Sequence, residues 1–137
     1  MIERIFWILG SLPFIILGTL HLAFTFWTDK FSSRNTSLVE EMKISYPILT
    51  RRTTMWKAWM GFNASHSSGA IYLGFINLFL AIQFPGILAN PVLEILTLFT
   101  VLFYLWLAKK YWFTIPFTGI LISLGCYSVS AILMMFN

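Results

Sequence analysis

The chain has 137 residues, of which 58% are hydrophobic, 18% aromatic and only 10% charged. A soluble domain of this length needs more polar residues to cover its surface, so the composition excludes a soluble globular protein and indicates an integral membrane protein. The net charge of +4 comes from basic residues dispersed between apolar segments, a distribution that suits lipid head groups and excludes a nucleic-acid-binding patch.

Four apolar segments are long enough to cross a bilayer as helices. We predict these helices at residues 5–27, 56–84, 87–108 and 111–136. Pro85 and Gly86 turn the chain after the second helix, and Lys109 and Lys110 are predicted to form the whole connection between the third and the fourth. The expected fold is therefore all-α, a single domain of four transmembrane helices spanning residues 1–137.

Residues 28–55 form the one substantial polar segment. Thr36 or Ser37 can cap a short helix here, because Glu40 follows Ser37 at the capping-box spacing. Pro47 is expected to end this helix. We predict a short helix of about two turns that lies at the membrane interface.

Lysine and arginine are unevenly divided between the two faces that four helices create. The face with residues 28–55 and 109–110 carries eight of them, and the opposite face carries only Arg4; the eight are Lys30, Arg34, Lys43, Arg51, Arg52, Lys57, Lys109 and Lys110. The positive-inside rule places both charged loops in the cytoplasm and both termini outside it. We predict a multi-pass protein of the cell membrane, in bacteria the inner membrane.

Small and polar residues recur at helical spacing in three of the predicted helices, which indicates inward faces. The stripes are Gly10, Phe14, Gly18, His21 and Thr25 in the first helix, Asn63, His66, Ser67, Ala70, Gly74, Asn77 and Ala81 in the second, and Gly119, Ser123, Cys126, Tyr127, Ser130 and Met134 in the fourth. The predicted ligand-binding residues are the polar ones toward the cytoplasmic side, namely His21, Thr25, Asn63, His66, Ser67 and Ser123.

The two histidines lie at similar depth. By helical rise, His21 is about 9 Å from the end of its helix at Trp27, and His66 is about 15 Å beyond Trp56. Three explanations are open. The rings can form a structural pair, they can ligate a b-type haem, or they can line a pocket in which a histidine donates or relays a proton to a quinone, lipid or other small ligand.

A second polar layer is predicted on the far side of the membrane, formed by Asn77, Glu94 and Ser130. Neither layer indicates a metal-ion site, since His21 and His66 lack the inward carboxylate that a three-ligand site needs. The serines beside His66 do not form a nucleophilic dyad with it, because neighbours one or two residues apart diverge on a helix.

The motif TTMWxxWxGFNxSHSxG at residues 53–69, together with His21-Leu22 and Phe24-Thr25-Phe26, resembles an uncharacterised family of small bacterial four-helix inner-membrane proteins. The resemblance implies the fold and the membrane location and brings no activity. In size and topology the chain is also similar to DoxX-like membrane proteins, by architecture only.

Two classes of function follow. In the first, the protein is a non-enzymatic bundle that binds a ligand or lipid, or an accessory subunit of a larger membrane complex or homo-oligomer. In the second, it is a redox or enzymatic protein that uses His21 and His66 as haem ligands, or as acid–base groups acting on a quinone-like or lipid substrate.

Overall fold

A computed structural model describes residues 1–136, and within that range all regular structure is helical. The α-helices are α1 (Ile2–Trp27), α2 (Thr36–Ile44), α3 (Met55–Gln83), α4 (Pro91–Tyr111) and α5 (Thr114–Met135), with a 3-10 helix at Pro85–Ala89 between α3 and α4. The predicted all-α fold with four long helices and a short one in the first loop is confirmed.

Four of the helices are long and apolar enough to cross a membrane, namely α1, α3, α4 and α5. The shortest, α4, has 21 residues, which at the rise of an α-helix corresponds to about 31 Å and matches a hydrocarbon core of about 30 Å. Large apolar side chains point outward from them: Phe62, Phe99 and Ile115 are 74%, 69% and 73% exposed. Such a surface fits a lipid bilayer, so the chain is a multi-pass integral membrane protein.

The connection between α4 and α5 differs from the prediction. Lys109 and Lys110 lie in the last turn of α4, where cations favourably oppose the partial negative charge of the helix end. Lys110 also places its Nζ 5.3 Å from the centroids of the Trp106 and Tyr111 rings. The turn between α4 and α5 is instead formed by residues 112–113. The drop in hydropathy at the lysines therefore predicted the end of α4 too early.

Two helix starts also differ from their predicted positions. Asn35, rather than Thr36 or Ser37, caps α2, because its side-chain oxygen accepts from the Ser37 amide at 3.1 Å. Asn90 caps α4 by accepting from the amide of Val92 at 2.9 Å, so α4 begins at Pro91 and the preceding residues form the 3-10 helix. Pro91 in the first turn is as predicted.

The chain divides into two compact units. The four-helix unit contains Met1–Leu17 and the described residues from Ala70 onward, and so includes parts of α1 and α3 with all of α4 and α5. The histidine unit is Gly18–Gly69, which contains the rest of α1 and α3 and the loop that carries α2.

The four-helix unit has an aromatic core. Trp7 and Tyr127 are fully buried and meet edge to face with ring centroids 5.0 Å apart, and Phe14 meets Tyr104 in the same way at 5.5 Å. Gly10 lies against the Tyr127 ring, since a Cβ there would be 3.2 Å from the ring carbons. Gly10, predicted to face inward on α1, therefore makes room for an aromatic ring.

Buried hydrogen bonds link the helices of this unit. The Asn77 side-chain oxygen accepts from Trp7 Nε1 at 3.0 Å and from the Thr97 hydroxyl at 3.2 Å. Ser11 Oγ lies 2.9 Å from the Tyr127 hydroxyl and donates to its own helix at the Trp7 carbonyl, so Tyr127 donates to Ser11. These bonds connect α1, α3, α4 and α5 through side chains that are otherwise surrounded by apolar residues.

Candidate functional site

The candidate site lies entirely in the histidine unit, where α1 and α3 present the only two histidines of the chain. His21 Nε2 lies 3.0 Å from the Asn63 side-chain oxygen. Asn63 is itself oriented, since its amide nitrogen donates to the Trp59 carbonyl one turn back at 2.8 Å. The spacing from Trp59 to Asn63 thus aims the amide oxygen at the neighbouring helix.

This geometry determines the proton arrangement on His21. With its nitrogen engaged by Trp59, Asn63 turns its oxygen toward the imidazole, and that oxygen can only accept. This arrangement fits the tautomer in which His21 Nε2 donates to Asn63 and Nδ1 is an acceptor. His21 can receive a hydrogen bond from a ligand hydroxyl or amine at Nδ1.

The second histidine lies in direct contact with the first. The rings of His21 and His66 meet edge to face, with centroids 5.4 Å apart and planes inclined by 73°. This contact confirms that the two histidines lie in one layer. Both side chains are only half-buried.

A loop residue completes the cluster. The Phe31 ring stacks on His21 with centroids 4.2 Å apart and planes inclined by 28°. Phe24 lies 6.3 Å from Phe31, centroid to centroid, and carries the Lys30 ammonium 3.9 Å above its own ring. Phe31 was not among the predicted site residues, and its one signal is that it is an aromatic residue flanked by polar ones in the loop.

Two predicted site residues, Thr25 and Ser67, direct their hydroxyls to backbone carbonyls. Thr25 Oγ1 donates to the His21 carbonyl at 2.8 Å, and Ser67 Oγ donates to the Asn63 carbonyl at 2.7 Å. Both side chains are buried. They support the helix turns that carry His21 and Asn63, which is a structural contribution of the kind common for hydroxyls in membrane helices.

Ser123, the remaining predicted ligand-binding residue, belongs to the four-helix unit rather than to the histidine unit. It is fully buried, and its Oγ has no hydrogen-bond partner among residues 1–136. It lies on the α5 face between Gly119, which approaches Leu17, and Tyr127, which approaches Ser11.

The three residues predicted to form a second polar layer, Asn77, Glu94 and Ser130, differ in their surroundings. Asn77 bonds to Trp7 and Thr97, and Ser130 donates to the Glu3 carbonyl at 2.6 Å. Glu94 lies half-buried in the first turn of α4, a position that suits a carboxylate electrostatically. Trp7 and Thr97 were not predicted as hydrogen-bond partners of Asn77, because a tryptophan and a threonine are ordinary residues in the interior of a membrane helix.

The residues present do not fit a haem between the histidines. Two axial imidazoles must point a nitrogen at the iron from opposite sides of the porphyrin plane. Here the rings touch one another, Asn63 occupies Nε2 of His21, and Phe31 covers one face of the same ring. Within residues 1–136 no cluster of three His, Cys, Asp or Glu side chains is placed to hold a metal ion.

Comparisons of the chain with protein-family models, with curated proteins and with solved structures found no match.

Proposed function

We propose that this small integral membrane protein binds a lipid-soluble ligand with a polar head group at His21 and His66, in the cytoplasmic half of the bilayer. The observation that carries the proposal is the half-exposed imidazole pair. Nδ1 of the half-exposed His21 ring can accept from the hydroxyl of a lipid head group or of a quinol-like ligand, or from water, whereas hydrocarbon offers no donor to it.

The arrangement favours binding over catalysis. Asn63 fixes the orientation of His21, and Phe31 holds the ring from one face, so Nδ1 is a positioned acceptor. Acid–base chemistry on a quinone-like or lipid substrate is the alternative function, and it would use the same nitrogen. The resemblance to small bacterial four-helix inner-membrane proteins is part of the proposal and is compatible with either.

Removing an imidazole should release the ligand. We expect His21→Ala and His66→Ala each to lower the amount of a co-purifying lipid or quinone about fivefold or more, because a lost hydrogen bond in an apolar site costs about 1 kcal/mol or more. Native mass spectrometry of protein purified in mild detergent provides the measurement.

Ser68→Ala is the matched control for these variants. Ser68 lies on the same helix, is exposed, and donates to the Ala64 carbonyl of its own helix at 2.9 Å. It should retain the ligand fully. Histidine variants that retain everything the parent retains would contradict the binding proposal and favour an accessory subunit, which crosslinking in native membranes to a larger partner would then identify.

The cytoplasmic placement of the site rests on the positive-inside rule and can be measured separately. In a Cys126→Ala background, a cysteine at Ser33 should react with an impermeant maleimide only after cells are opened, whereas one at Gly86 should react in intact cells. Gly86 tolerates the change because a Cβ there meets nothing within 4 Å. The reverse labelling pattern would show that the first loop lies outside the cytoplasm.

A further inference from the structure

The most exposed apolar side chains of the chain outside the spanning helices are at one loop tip. Ile48 is 107% exposed and Leu49 is 93% exposed. They lie in a turn in which the Thr50 amide donates to the Pro47 carbonyl at 3.2 Å. Two adjacent large aliphatic residues with this exposure are unfavourable in water, so an apolar environment would stabilise this tip.

The base of this loop is fixed at the start of a membrane-spanning helix. The Met55 amide, the first of α3, donates to the Ser45 carbonyl at 2.9 Å, which closes residues 45–55 into a small loop. A chain of that length can extend at most about 18 Å from its base and return. Ile48 and Leu49 therefore stay within reach of the membrane surface at which α3 begins.

The charged residues of the loop indicate which kind of lipid surface the tip would contact. Arg51 and Arg52 follow the apolar tip directly, both are exposed, and residues 45–55 include no acidic residue. Aliphatic residues beside arginines are the combination that binds a leaflet containing anionic lipids, because the side chains enter the boundary region while the guanidinium groups contact phosphates.

We propose that residues 46–52 form a membrane anchor, in which Ile48 and Leu49 insert into the anionic leaflet on the side of the first loop while Arg51 and Arg52 bind its head groups. This anchor is independent of the histidine site, and of which side of the membrane the loop occupies.

Trypsin can test the anchor without a label, because Arg51 and Arg52 are among its cleavage sites and cleavage after each can be followed separately from cleavage at the other lysines and arginines. The protein is reconstituted into vesicles of phosphatidylcholine with or without phosphatidylglycerol, and the rate constant of cleavage at these arginines is measured for the accessible fraction. In vesicles with phosphatidylglycerol, we expect the parent to be cleaved at least about tenfold more slowly than Ile48→Ser/Leu49→Ser.

Leu38→Ser, an exposed aliphatic on α2, is the matched control and should be cleaved at the parent's rate. The parent should also be cleaved faster in vesicles without phosphatidylglycerol than with it. Equal rates for the parent and the double variant in both vesicles would overturn the proposal. Protection in native membranes but in neither vesicle would overturn it in favour of a protein partner.

Discussion

Replacing Gly74 with alanine should destabilise the four-helix unit by about 1–3 kcal/mol, the range for overpacking a well-packed interior. A Cβ at this position would lie 2.6 Å from Ile15 Cγ1, 2.9 Å from the Ser11 carbonyl oxygen and 3.0 Å from the Ile15 amide nitrogen. Two of these atoms are backbone, so the clash can be relieved only by moving α1 away from α3. Reversible unfolding in mixed detergent micelles provides the measurement.

Two other glycines, at which an added Cβ would meet less resistance, provide controls for this substitution. A Cβ at Gly125 meets nothing within 4 Å, so Gly125→Ala should be neutral or stabilising by up to about 1 kcal/mol through helix propensity. At Gly119 the tight contact is with Leu17 Cδ1, the end of a flexible side chain, and Gly119→Ala should fall between the other two. Equal stability of the Gly74 and Gly125 variants would show that the close approach of α1 and α3 is not needed.

Replacing Asn77 with leucine should destabilise the same unit by about 1–3 kcal/mol. The substitution preserves side-chain size but removes the oxygen that accepts from Trp7 Nε1 and from Thr97 Oγ1. Both donors would then be left in an apolar interior without a partner, and each unsatisfied buried group costs about 1–3 kcal/mol. Interhelical hydrogen bonds in membranes average nearer 0.6 kcal/mol when measured by double-mutant cycles, which places the expectation toward the lower end.

Two threonines of α4 allow the hydrogen bond between Thr97 and Asn77 to be tested separately from the one between Trp7 and Asn77. Thr97→Val removes the buried hydroxyl that reaches Asn77, whereas Thr100→Val removes a hydroxyl that donates to the Leu96 carbonyl of its own helix at 2.7 Å. We expect Thr97→Val to be the more destabilising, and its effect to disappear when Asn77 is already leucine. Additive effects of the Thr97 and Asn77 substitutions would mean that the hydrogen bond between them contributes nothing to stability.

The helices and their inward faces were predictable because they rest on local composition and period. Leucine-rich and phenylalanine-rich runs set the four spans, and the recurrence of small residues identified Gly10, Gly74 and Ser67 as buried. The break between α4 and α5 was not predictable in the same way. Two lysines at a helix end have the low hydropathy of a loop, but their positive charges stabilise the helix end.

The candidate site was predictable only in part. Helical rise placed His21 and His66 in one layer, and their ring contact confirms it. The partners of Asn77 and the stacking of Phe31 on His21 depend on the rotation of one helix against another or on the path of a loop, and neither property is encoded in the period of a single segment. Whether His21, Asn63 and His66 bind a ligand stays a prediction.

The bonds between α1 and α5 have a consequence for biogenesis. Tyr127 and Ser130, near the end of the chain, hydrogen-bond to Ser11 and to the Glu3 carbonyl, near its beginning. During synthesis these partners on α1 enter the membrane long before α5 exists, so they must wait for the last span to emerge. Until then, the surface at Gly10 and the acceptor side of the Ser11 hydroxyl lack their α5 partner, and insertion of the final helix completes this contact.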